Sequence, residues 1–415
     1  MTTTKNNEHK KLNFSSEREQ SQACLNSAEH EKNQGRKVLN VPNLRFPEFQ
    51  GEWEEERLAD IADLYKGTGI SKDQLSDDGE PCILYGELYT KYKSETIREV
   101  ISKTNIDNTK LVRSKANDVI IPCSGETAED IATARCVLNG NILLGGDLNI
   151  IRLHGYDGAF MSYQLNGRRK YDIAKVAQGV SVVHLYGEHL KGVKTINPCL
   201  EEQKKIASLL ALLDERITTQ NKIIEDLKKL KSAISKKLLC NDKWTTYKIQ
   251  DIAEIGRGRV ISSVEIDRQK HPLYPVYSSQ TSNNGIMGYL DNYMFDGEYI
   301  TWTTDGANAG TVFYRKGKFN CTNVCGTLKI LPKFDCYFVS LVLQQATQKY
   351  VSSNLANPKL MNNTMASIKI RMPNIETQKQ LSKVFQTLDS CLLVHQRTCK
   401  MYQSEKQYLL RQMLI

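Results

Sequence analysis

The chain contains two copies of one module, and this duplication constrains its fold more than any single motif. Trp53-EEERLADIADLYK-Gly67 aligns without a gap to Trp244-TTYKIQDIAEIGR-Gly258, 191 residues further on. Tryptophan, a basic residue (Arg57, Lys248), an aliphatic (Leu58, Ile249), Asp-Ile-Ala and a closing glycine coincide. A second pair of blocks, opening at Pro198 and Pro373, is offset by 175 and shares Glu201/Glu376, Gln203/Gln378, Lys204/Lys379 and Leu213-Asp214/Leu388-Asp389. The first copy therefore carries 16 more residues between its blocks. Two copies are too few for a solenoid. Matched ends around unlike middles describe a duplicated module with pseudo-twofold symmetry.

Each copy ends in a long amphipathic stretch free of Pro and Gly. Alternating steps of four and three run through Ile206, Leu210, Leu213, Ile217, Gln220, Ile224, Leu227, Lys231, Ile234 and Leu238. Adding 175 gives Leu381, Phe385, Leu388, Leu392, His395, Cys399, Tyr402, Lys406, Leu409 and Met413, so even the lysine recurs in register. Such a seam suits a partner helix. Its candidate pairing residues are Leu210, Leu213, Ile217, Ile224 and Leu227 against Phe385, Leu388, Leu392, Tyr402 and Leu409. Leu209, Ile223 and Leu230 widen the first stripe, which points to further packing or another protein. Forty residues at about 1.5 Å each make a rod near 60 Å.

The middles mix short β-like runs (Val119 to Ile121, Asn141 to Leu144, Tyr299 to Trp302), bounded by Gly, Asn and Asp, with helix-like patches such as Phe338 to Tyr350. The expected class is α+β: two pseudo-twofold-related globular domains joined by two long antiparallel coiled-coil helices. The expected boundaries are 1–42 (polar and disordered), 43–199, 200–240 (first spacer helix), 241–374 and 375–415 (second spacer helix). No run approaches the roughly 18 apolar residues of a membrane span, and the N-terminus lacks an apolar signal core. The net charge of +9 suits a polyanionic partner. The 11 cysteines lack any C-x-x-C, and Cys321 and Cys325 have no nearby His to complete a zinc set, so free thiols in a reducing cytoplasm are expected.

Enzyme signatures are missing. The sequence holds no G-x-x-x-x-G-K-[ST], H-E-x-x-H or G-x-S-x-G, and Gly67-Thr-Gly69 and Gly256-Arg-Gly258 lack the third glycine of a dinucleotide loop. Asn197-Pro198-Cys199 and Asn357-Pro358-Lys359 lack the second Pro and the aromatic of an amino-methylating motif. Glu202-Gln203-Lys204 reads as a helix start. The middles instead carry loops dense in amides, hydroxyls, Lys and Tyr, groups that bridge base edges or hold phosphates. The candidate DNA-contacting residues are Tyr85, Glu87, Tyr89, Ser124, Glu126 and Ser181 in the first half. In the second they are Ser279, Gln280, Asn283, Asn284, Asp305, Asn308, Lys318 and Asn323.

Val41-PNLRFPEFQGEWEEERLAD-Ile61, Tyr85-GELYTK-Tyr92, Gln178-GVSVVHLYGEHL-Lys191, the block from Pro198 to Ile217 and Asp305-GANAGTVFYRKGKF-Asn320 resemble the DNA specificity subunit of type I restriction-modification enzymes, in order, over about residues 41 to 415. The resemblance implies a bacterial or archaeal cytoplasmic protein that catalyses nothing alone. Each globular half would read one part of a split target in double-stranded DNA, and the paired helices would set the gap. Two methylation subunits carrying S-adenosylmethionine, and restriction/translocase subunits using ATP and Mg, would bring the chemistry; this chain would bind neither cofactor nor metal. The competing readings are a coiled-coil scaffold indifferent to DNA and a fused adenine methyltransferase.

Overall fold

The computed structural model describes residues 39–107, 109–179, 182–239, 242–352 and 357–415, so Ser181 and nearly all of the polar N-terminal extension lie outside the described residues. The chain is α+β and divides into two compact units. One comprises residues up to Asp214 together with Ser404–Ile415; the other is Glu215–Gln403. Among the described residues no helix is long and apolar enough to cross a membrane.

In the first unit the main sheet has the order β2 (Ala62–Lys66), β11 (Leu148–Leu153), β7 (Asp118–Pro122), β9 (Arg135–Val137), β5 (Thr96–Ile97). It is antiparallel except for the β9–β5 edge. A smaller sheet has the order β10 (Leu143–Leu144), β4 (Glu80–Ile83), β6 (Ser102–Thr104), β3 (Leu75–Ser76), and β10 runs parallel to β4. Two ribbons complete it: β1 (Glu54–Arg57) with β13 (Lys194–Asn197), and β8 (Ser124–Gly125) with β12 (Val183–His184). Val119, Ile121 and Ile151 alternate onto a face covered by helix α1 (Gly158–Asn166). That helix starts where the Asp157 carboxylate accepts the Phe160 N–H at 2.8 Å, satisfying one of the donors that every helix N-terminus leaves open.

The second unit repeats this plan with fewer strands. Its main sheet has the order β15 (Ala253–Arg257), β21 (Cys325–Ile330), β18 (Glu298–Thr303), β19 (Val312–Lys316), all antiparallel. The smaller sheet has the order β17 (Ile286–Leu290), β16 (Tyr274–Tyr277), β20 (Asn320–Cys321), again with one parallel pair, β16–β20. The ribbon is β14 (Thr245–Lys248) with β22 (Lys369–Met372). The covering helix is α3 (Cys336–Ala346), capped by Asp335 as α1 is by Asp157.

The matched sequence blocks are matched parts. Trp53 packs edge-on against Phe160 and Trp244 against Phe338, each at 5.9 Å between centroids. The Gln203 amide spans Pro198 O and the Asp157 N–H; Gln378 spans Pro373 O and the Asp335 N–H. The closing glycine of each copy leaves the main sheet where another backbone presses in: a Cβ on Gly67 would lie 2.0 Å from Gly145 O, and one on Gly258 2.1 Å from Cys321 O. Only glycine fits there.

The two long stretches are helices α2 (Leu200–Leu238) and α4 (Ile375–Met413). In the first unit Ile206, Ala207 and Leu210 of α2 share a core with Met413 and Leu414 at the end of the chain. In the second, Arg216 of α2 donates to Tyr402 Oη at 3.2 Å, Gln220 Oε1 lies 2.7 Å from His395 Nδ1, and Lys231 pairs with Asp389 of α4. Numbers rise on one helix as they fall on the other, so within this unit they run in opposite directions. The register foreseen from sequence tracks burial: Leu210, Leu213 and Phe385 are buried, and Ile217, Ile224, Leu227, Leu388, Leu392, Tyr402 and Leu409 half-buried. Leu212, Leu393 and Met401, off the seam, are exposed.

Candidate nucleic-acid interface

In each unit most of the polar candidates issue from the C-terminal ends of corresponding strands. In the first unit the parallel partners are Cys82↔Leu143 and Ile83↔Leu144; in the second, Val276↔Asn320 and Tyr277↔Cys321. Tyr85 and Ser279 therefore occupy one position, two residues beyond the strand. The register Leu148↔Pro122 corresponds to Cys325↔Thr303, which likewise equates Ser124 with Asp305. Three-residue connectors, Gly145 to Asp147 and Thr322 to Val324, then return the chain to the main sheet, and Asn323 stands where Gly146 does.

In the first unit Tyr85 is exposed beside a cleft of about 910 Å³ that Lys72, Gln74, Lys91 and Asp147 also line. Glu87, only 6% exposed, lines the same cleft. Its carboxylate accepts the Leu84 N–H at 3.1 Å and the Ser102 hydroxyl, and lies 2.7 Å from Lys91 Nζ. Held by these three donors, it organises the turn that presents Tyr85. Tyr89 is half-buried and donates its hydroxyl to Ser124 O at 3.2 Å; burial pushes its phenol well above the ordinary range. Ser124 Oγ lies 3.3 Å from His184 Nδ1 across the β8–β12 ribbon, and His184 stacks on the exposed Tyr186. Glu126 is exposed just before Thr127, which caps a short helix. Tyr89, Ser124, His184 and Tyr186 thus form one patch. His184 and Tyr186 lacked any periodic signal; only the ribbon pairing brings them to Ser124.

In the second unit the loop after β16 carries Asn283 and Asn284 at φ 48° and 55°, followed by Gly285 at φ 82°. Three successive left-handed residues make a tight reversal, which asparagine tolerates better than most residues. The Ser278 N–H closes it by donating to Gly285 O at 2.9 Å. The Gln280 and Asn283 amides both donate to Ile286 O, the second at 3.4 Å; Asn283 and Asn284 are exposed and Ser279 is half-buried. Asp305 accepts the Thr304 hydroxyl at 2.6 Å and lies 3.6 Å from Lys359 Nζ; Asn308 and Asn323 are exposed on adjoining loops. Two backbone bonds draw these loops together: Thr322 N–H to Tyr277 O, and Thr304 N–H to Val324 O.

Lys318 is not with them. It lies 4.5 Å over the Tyr293 ring, near the start of β16, because β20 carries the chain from Lys318 to Asn323 along a strand. Beneath the asparagine loop lies a cation that sequence reasoning missed. The Arg315 guanidinium, 3% exposed, sits 3.6 Å from the Tyr277 ring centre and 4.3 Å from that of Phe313, and its Nε donates to Thr301 Oγ1 at 3.2 Å. Burial lowers its pKa. In sequence it is one basic residue among several. Among the described residues no group of His, Cys, Asp and Glu is placed to hold a metal ion.

This doubled arrangement of sheets and covering helices is a known fold. The protein resembles the crystal structure of the S subunit of a type I restriction-modification system from M. genitalium, with a TM-score of 0.69 at 18% identity, covering 90% of this chain and 99% of that one. The chain belongs to the family described as the type I restriction modification DNA specificity domain, whose model matches residues 50–229 and again 241–400. Among relatives from Mycoplasma pneumoniae, S.MpnORF201P, described as a type I specificity subunit, is 38% identical over 190 residues, 45% of this chain and 79% of its own length. The type I restriction enzyme MpnII specificity subunit is 42% identical over 145 residues, 35% of this chain and 43% of its own.

Proposed function

We propose that this type I specificity subunit reads a bipartite sequence in double-stranded DNA, one part with each globular domain, and directs adenine methylation and restriction by partner subunits. The observation that carries the reading is the equivalence of the two polar loop sets. Tyr85 and Ser279, and Ser124 and Asp305, leave corresponding strands at corresponding positions, yet their chemistry differs. Equal scaffolds with unlike contact residues suit a target whose two parts are unrelated in sequence.

On this reading the matched helices α2 and α4 form the antiparallel spacer that sets the gap between half-sites. Two methylation subunits supply S-adenosylmethionine and the active site into which the target adenine is extruded. Restriction/translocase subunits supply ATP- and Mg-dependent steps, and the complex works in a bacterial or archaeal cytoplasm. The chain itself contributes recognition and no catalytic residue.

The test exchanges residues 244–370 for those of another family member and maps methylated adenines with the methylation subunits present. Change confined to one half of the target is expected. Change in both halves, or in neither, refutes the division of labour, and partner binding indifferent to DNA would favour a scaffold instead.

A further inference from the structure

We infer that a duplicated tyrosine–aspartate–lysine clamp fixes the orientation in which each reading domain is held on the helices, making Lys231 and Lys406 positioning residues for the gap between half-sites. The inference rests on the bipartite reading proposed above. In the first unit Tyr163 of α1 donates to Asp214 Oδ2 of α2 at 2.7 Å, and Lys406 Nζ of α4 lies 2.5 Å from Asp214 Oδ1. In the second, Tyr337 of α3 donates to Asp389 Oδ2 of α4 at 2.5 Å, and Lys231 of α2 pairs with Asp389 Oδ1. Asp214 and Asp389 are one position of the repeat, and Lys231 and Lys406 another. Each clamp joins three elements: the domain's covering helix, the long helix leaving that domain, and the other long helix.

Both lysines occupy seam positions whose neighbours in the pattern are mostly apolar. Replacing a whole buried ion pair by apolar groups is often neutral or stabilising, so stability alone does not account for a lysine and its carboxylate partner at such a position. What a buried polar residue in a helix seam supplies is a single geometry, since any displaced arrangement leaves its charge unpaired. The clamp reaches beyond the helices through its tyrosine. Rotating the domain on its helices separates Tyr163 from Asp214 and, in the first unit, Glu95 from Lys406, which lies 2.5 Å from Glu95 Oε2. Glu95 comes from the unmatched middle of the first copy, so there the reading domain itself holds the lysine. The lysine side chain is 10% exposed in this clamp and 25% in the second, so the first is the tighter of the two.

The test uses the full chain with its methylation subunits and a pool of duplexes carrying both half-sites at gaps from two base pairs shorter to two longer than native. Lys406→Met is expected to leave the half-site bases unchanged while preference for the native gap falls about tenfold. Lys231→Met shows a smaller loss, Lys406→Arg recovers most of it, and thermal unfolding of Lys406→Met falls below the unsubstituted value, because Asp214 and Glu95 are left without their cation. Tyr163→Phe, which removes one hydroxyl, shifts the preference in the same direction and serves if Lys406→Met does not fold. Methylation lowered equally at every gap identifies a merely structural lysine and overturns the inference, as does unchanged gap preference. A parent protein that methylates all gaps alike removes the bipartite reading itself, a result distinct from either.

Discussion

Phe385→Ala tests which face of α4 is buried against the core of the second unit. Phe385 is fully buried, at a seam position of α4, and joins the core of the second unit with Trp302, Phe338 and Ile370. Truncating a buried phenylalanine removes its transfer free energy and leaves a cavity, costing about 3–5 kcal/mol. Leu393, eight residues on and 46% exposed, is the matched control, and Leu393→Ala is expected within about 0.5 kcal/mol of the parent. Trp244 and Trp302 lie in the second unit and Trp53 in the first, so tryptophan emission in urea is weighted toward the unit under test. For a unit of about 190 residues a urea slope of about 2.5 kcal/mol/M is reasonable, so the midpoint should fall by about 1.5 M for Phe385→Ala and hardly move for Leu393→Ala. Equal shifts for the two variants would falsify the assignment of the buried face.

Three further outcomes are expected. Gly258→Ala should destabilise by about 2 kcal/mol or more, because the new methyl meets backbone rather than a side chain that can turn away; a thermal midpoint equal to the parent's would contradict the close approach. Asp335→Ala should cost about 1–2 kcal/mol in the second unit, since its carboxylate caps α3 at Phe338 and also accepts the Ser382 hydroxyl at 2.6 Å; chemical denaturation measures it. Asn283→Ala with Asn284→Ala should weaken recognition of one half-site about tenfold in a competition binding assay, against less than about threefold for Lys318→Ala. The reverse order would show that the interface lies at the other end of β16.

The matched blocks were legible because they are determined locally. Tryptophan, Asp-Ile-Ala and glycine mark a ribbon, a turn and a close approach, each needing a particular residue type whatever the middle does. The helix seam was legible for a related reason: a period of three and four over ten positions cannot be satisfied by a strand, and of the ten positions on each helix only Leu238 is exposed. Short strands such as Val119 to Ile121 and Tyr299 to Trp302 stood out because they are rich in β-branched and aromatic residues bounded by turn residues, and both lie in the main sheets. Side-chain direction was not legible. Glu87 and Tyr85 are two residues apart in a polar loop, yet one turns inward to an ammonium and a backbone N–H while the other faces solvent.

Pattern and propensity act over a few residues, so the sequence alone specified the duplication, the α+β class, the two long helices and the recurrence of a lysine in their seam. Which polar groups meet depends on chain segments far apart in sequence. Only the tertiary structure carried Lys406 to Asp214 and Glu95, put His184 beside Ser124, buried Arg315 between two rings and sent Lys318 to the opposite end of its strand. The physical cause is the same in each case. A charge or hydroxyl fits many local conformations about equally well, and desolvation against a distant partner is what selects one of them.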